Sequence, residues 1–98
     1  MSRVLDPEGA HLAALHRLAD FHGRRIIELG CGDGRLTVPI AREAAYMLSF
    51  DPDADAVGRA RQTLPHELAD RVSYRVASGA AIEIEPGSYD LALFSWSL

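Results

Sequence analysis

Apolar residues fall along this chain in short blocks, and two kinds of block alternate. Arg25-Ile26-Ile27-Glu28-Leu29, Tyr46-Met47-Leu48-Ser49-Phe50 and Val72-Ser73-Tyr74-Arg75-Val76-Ala77 are brief runs dominated by branched and aromatic side chains. Such runs predict strands buried in a parallel sheet. A fourth run, Tyr89 to Leu98, has the same character. Between them the apolar spacing becomes helical. Leu12, Leu15, Leu18 and Ala19 recur at three- and four-residue intervals, with Asp6 as N-cap, Pro7 in the first turn and Gly23 as the stop. A second helix is expected from about Arg35 to Ala45, starting near Leu36, because Pro39 is tolerated only in a first turn. Asp53 or Asp55 caps a third, whose Val57, Ala60 and Leu64 share a face before Pro65 ends it. Met1–Asp6 is expected as a loose arm and Ser78–Gly87 as an irregular connection. Strands alternating with helices predict an α/β fold with a parallel sheet.

The most informative junction is the first. Three glycines, Gly30, Gly32 and Gly34, follow the strand and precede a helical pattern. Glycine accepts positive φ and lets backbone approach a ligand closely. The following helix directs unpaired N–H groups at the turn, which favours a negatively charged ligand group. The dinucleotide fingerprint G-x-G-x-x-G would place its third glycine where Arg35 stands, so this turn is one residue tighter. Asp51 closes the second strand, 23 residues after Glu28, and Pro52 follows it. A nucleoside-binding α/β fold puts a carboxylate there to accept hydrogen bonds from ribose hydroxyls. A turn that binds nothing and a merely capping acid are the bland alternatives. The two features at this separation favour a ligand.

Glu28-x-Gly30-x-Gly32-x-Gly34 after a strand resembles motif I of the class I S-adenosylmethionine-dependent methyltransferases. Tyr89-Asp90 followed by an apolar strand resembles the family's motif IV. The resemblance spans roughly residues 10 to 98. It implies a Rossmann-like three-layer α-β-α fold with strand order 3-2-1-4, truncated relative to the family's seven-stranded order 3-2-1-4-5-7-6. Residues 1–98 would then be a single S-adenosylmethionine-binding methyltransferase domain, incomplete at its C-terminus. The implied cofactor is S-adenosylmethionine, released as S-adenosylhomocysteine. Gly30, Cys31, Gly32 and Gly34 would hold its methionine end, braced by Glu28. Asp51, with Pro52, would meet the ribose. Ser78 and Gly79 fall where the family often places an acid against the adenine, so the chain departs from the pattern there. Ile82 is a candidate apolar contact or a core residue. Asp90 is expected to be structural.

The implied reaction is methyl transfer to an acceptor, with no residue nominated as base or catalyst. An N-P-P-Y-type segment, which would suggest nucleic-acid bases, is replaced by Phe94-Ser95-Trp96-Ser97, so a small-molecule acceptor is favoured. Two alternatives stay open. One is a non-catalytic cofactor-binding half-domain. The other is a dinucleotide-dependent oxidoreductase, which the position of Arg35 argues against. Residues 90–98 would form a long apolar sheet edge that invites self-association.

Composition adjusts this picture modestly. Ninety-eight residues make one domain. A net charge of −4 argues against a broad nucleic-acid surface. The single cysteine excludes an internal disulfide and a cysteine-based zinc site. Without a neighbouring histidine pattern, Cys31 is expected to pack rather than to attack. His11, His16 and His22 are spaced so that they do not share a helix face, and no metal site is expected. No apolar run reaches membrane length, and a cytoplasmic protein is expected.

Overall fold

The computed structural model describes residues 20–78 and 87–94. Four strands, β1 (Arg25–Leu29), β2 (Tyr46–Asp51), β3 (Val72–Val76) and β4 (Leu91–Phe94), form one sheet in the order β3-β2-β1-β4. All three pairings are parallel. This is the Rossmann-like arrangement and strand order expected of the chain. Helix α1 (Thr37–Ala41) connects β1 to β2, and α2 (Ala54–Thr63) with a 3-10 turn (His66–Leu68) connects β2 to β3.

Parallel register puts paired residues on a common face. Ile26, Met47 and Val72 form one rung across β1, β2 and β3, and Leu91 extends it onto β4. These three meet Ile40, Ala41, Val57, Ala60 and Phe21 in the main core. Burial of such side chains contributes about 1.5–3 kcal/mol each. The helix expected from Pro7 falls on residues outside those described up to position 19; residues 20–23, at its expected end, are not helical, and Phe21 among them is buried. The fourth strand starts at Leu91 instead of Tyr89, and Gly79, Ile82 and residues 95–98 also lie outside the described residues.

Helix α1 is shorter than the spacing predicts. Its C-terminal carbonyls are drawn into tertiary bonds: the Arg71 guanidinium donates to the carbonyl oxygens of Ala41 and Ala44 (3.2 and 3.5 Å). The Glu43 carbonyl accepts the Gly23 N–H, and the Ala45 N–H joins the sheet through the Arg24 carbonyl. Pro39 sits in the first turn of α1, where it removes no bond. Helix α2 is capped by Asp53, whose carboxylate accepts the N–H groups of Asp55 and Ala56. Asp90 proves structural: its carboxylate accepts the Arg25 N–H at 2.9 Å while its own N–H donates to the Arg25 carbonyl. Arg25 lies over the rings of Tyr46 and Tyr89, 5.3 and 5.2 Å from their centroids, and fastens β4 to β1 at this end of the sheet.

Candidate functional site

The carboxyl ends of β1, β2 and β3 carry the sequence-predicted residues, at the end of an α/β sheet where ligands bind. Gly30, Gly32 and Gly34 all have positive φ (81°, 57° and 91°). The turn is anchored to β2 from both sides. The Phe50 carbonyl accepts the N–H groups of Gly30 (2.8 Å) and Cys31 (3.0 Å). The Asp51 carboxylate accepts the Gly32 N–H at 2.9 Å through one oxygen and the Asp53 N–H at 2.9 Å through the other. The Gly34 N–H closes the turn on the Cys31 carbonyl. The N–H groups of Gly30, Cys31, Gly32 and Gly34 are thus taken by the protein, and the Asp51 carboxylate is held against the turn.

Asp51 is only 8% exposed, yet two bonds occupy half of the roughly four acceptor sites of a carboxylate. A Cβ on Gly32 would meet nothing within 4 Å, so the turn has an open side at that residue. Pro52 and Ser78 are exposed at the ends of β2 and β3. The Ala77 N–H donates to the Asp51 carbonyl, which keeps Ser78 beside the second loop.

Glu28 is fully buried, one rung below the turn. Its Oε1 accepts the hydroxyls of Thr37 (2.5 Å) and Ser49 (2.9 Å). A buried carboxylate is tolerable only when hydrogen-bonded in this way. It ties β1, β2 and α1 together under the glycines. Neither Thr37 nor Ser49 was singled out from sequence. The available signal was a polar residue set inside each of two apolar strand runs, at the paired positions Glu28 and Ser49.

Cys31 is buried, and burial, with the Glu28 and Asp51 carboxylates nearby, pushes its thiol up to about 12. A thiol held neutral is a poor nucleophile. It fills space in the turn, with its Sγ 3.7 Å from the Gly32 carbonyl oxygen.

Comparison with known proteins agrees with this fold. Magnesium-protoporphyrin O-methyltransferase of Rhodobacter capsulatus is 33% identical over 76 residues, covering 78% of this chain and 34% of that protein. Ribosomal RNA large subunit methyltransferase G of Streptomyces coelicolor is 35% identical over 88 residues, covering 87% of this chain and 23% of that protein. The crystal structure of magnesium protoporphyrin IX methyltransferase from Synechocystis, with S-adenosylhomocysteine bound, superposes with a TM-score of 0.69 at 25% identity, over 87% of this chain and 38% of that one. The chain thus spans about a third or less of the length of these curated relatives. The family model described as "Methyltransferase domain" matches residues 26–98, most of the sequence, and the chain belongs to that family.

Proposed function

We propose that the chain binds S-adenosylmethionine on the glycine turn and forms the cofactor side of an enzyme that transfers its methyl group to a small-molecule acceptor. The observation that carries this reading is the bond from the Gly32 N–H to the Asp51 carboxylate. It joins the two loops that the sequence marked independently, and it orients a buried acid with acceptor capacity left over. The residues fit the cofactor. The turn is open at Gly32, where the methionine end would lie, and Asp51 retains sites for two ribose hydroxyls.

Each residue then has a role. Gly30, Cys31, Gly32 and Gly34 shape the turn against the amino-acid end. Glu28 braces that turn from below. Asp51 holds the ribose, and Pro52 fixes the backbone that follows it. Ser78 and Gly79 border the adenine, where a hydroxyl gives a weaker contact than a carboxylate. The cofactor's sulfonium supplies the activated methyl. The protein binds, orients and excludes water.

The small-molecule acceptor is supported by the acidic balance of the chain and by the Rhodobacter relative's tetrapyrrole-named activity. An RNA acceptor is the second reading, favoured by the Streptomyces relative. We place the reaction in the cytoplasm, where a lone thiol stays reduced. No helix among the described residues is long and apolar enough to cross a membrane. The test is calorimetric titration with S-adenosylhomocysteine, with NADH as control ligand. Saturable binding of the first alone is expected. Binding of NADH alone would transfer the site to the oxidoreductase reading.

A further inference from the structure

Tyr74 stands in the same rung as Glu28 and Ser49, one strand further out, and is 6% exposed. Its neighbours' hydroxyls are used: those of Ser49 and Thr37 both donate to Glu28. Its own is not. The phenol oxygen is buried, and although Thr37 lies beside it, no contact has hydrogen-bond geometry among the described residues. The fold gains nothing from that oxygen, since phenylalanine would fill the same space without burying an unsatisfied polar atom.

The oxygen lies against the glycine turn. A Cβ on Gly34 would come 2.5 Å from it and 3.4 Å from the ring carbon that bears it. Gly34 is the joint between turn and helix, because its N–H closes the turn on Cys31 and its carbonyl accepts the Val38 N–H. Thr37 follows three residues later, and its oxygen keeps lone pairs after donating its proton to Glu28.

We propose that Tyr74 is a positioning residue for the ligand of the glycine turn: its hydroxyl seats Gly34 and donates to Thr37 Oγ1 when a bound ligand draws the turn onto it. That bond would extend the Thr37–Glu28 pair into a chain from β3 through α1 to β1, in which each bond polarises the next. Burial pushes the phenol up to about 12, so the donor keeps its proton throughout the physiological range. The inference rests on the reading that the turn binds S-adenosylmethionine, and it deepens that reading by naming the residue that fixes the turn once it is occupied.

The experiment compares the whole chain with its Tyr74→Phe variant in two measurements: S-adenosylhomocysteine affinity by calorimetry, and thermal unfolding without ligand. The expected result is a roughly three- to tenfold loss of affinity, the worth of one hydrogen bond, with an unliganded Tm that is unchanged or higher. Equal affinity of variant and parent overturns the inference and leaves the cofactor reading standing. Affinity and unliganded Tm falling together overturn it too, because the hydroxyl would then be an ordinary fold contact. Failure of the parent itself to bind would overturn the cofactor reading, and this inference with it.

Discussion

One face of the sheet presents Ile26, Met47 and Val72, then Glu28, Ser49 and Tyr74, then Asp51 and Val76, in register toward α1 and α2. The other presents Arg25 and Tyr46, then Ile27, Leu48 and Ser73, then Leu29, Phe50 and Arg75. On β4 the first face receives Leu91 and Leu93, both packed on the core, and the second receives Ala92 and Phe94, the latter 65% exposed. The helix-covered face therefore holds an apolar rung and, immediately under the turn, a polar one in which Ser49 donates to Glu28 and the Tyr74 hydroxyl has no partner among the described residues. The second face has its cation–π clamp at the far end, buries Ile27 and Phe50, and is exposed at Arg75, Ala92 and Phe94 toward its two edges. The candidate chemistry belongs to the first face, where a misplaced polar group is costly and the arrangement is correspondingly fixed.

The largest effect expected is on the polar rung. Glu28→Ala leaves two buried hydroxyls without an acceptor and should cost about 3–5 kcal/mol in urea denaturation, whereas truncating half-buried Leu29 next to it should cost far less. Equal losses at the two positions would erase the distinction between the faces. Next come the glycines. Gly34→Ala meets both a φ of +91° and the Tyr74 oxygen, and should cost about 2–4 kcal/mol. Gly32→Ala meets only a φ of +57° in open space, and about 1–2 kcal/mol is expected. Combining Tyr74→Phe with Gly34→Ala should restore part of the loss at position 34 and none at position 32.

A smaller, pH-dependent effect belongs to the same face. Cys31 and Tyr74 titrate from ordinary values of 9.0 and 10.0 when unfolded and are both pushed up to about 12 when folded. Between those values the folded chain holds more protons than the unfolded one. Stability is thus complete below pH 9 and falls as pH rises toward 12. Chemical denaturation at pH 8, 10 and 11 should show this slope, and Cys31→Ser should flatten its lower part.

The smallest effect on stability, within about 0.5 kcal/mol, is expected for Phe94→Lys on the exposed face. Among the described residues β4 is the outermost strand beside β1, and we propose that the chain self-associates along it. Light scattering over a concentration series should show growing mass for the parent and a monomer for the variant. A parent that stays monomeric contradicts the proposal.

Much of this was legible in the sequence because the informative signals are local. The strand ends, the glycine turn, Asp53 as cap and Asp51 at its strand end all depend on neighbours a few residues away. What escaped depends on lateral contacts. Thr37 and Ser49 meet Glu28 across 9 and 21 residues, and Tyr74 reaches Gly34 from a strand forty positions on. No periodicity encodes such meetings. The shortness of α1 escaped for the same reason, since the carbonyls that end it are taken by Arg71 and Gly23 from elsewhere in the chain. The engagement of the turn's N–H groups could be seen only once β2 lay beside the turn.

The most direct test of the account is calorimetric titration of the chain and of Asp51→Ala with S-adenosylhomocysteine, with thermal unfolding as the check that both are folded. The account predicts saturable binding by the parent and its loss in a folded variant, because Asp51 holds the Gly32 N–H and is the acid proposed to meet the ribose. A folded parent that does not bind, or an Asp51→Ala variant that binds as tightly as the parent, would contradict it.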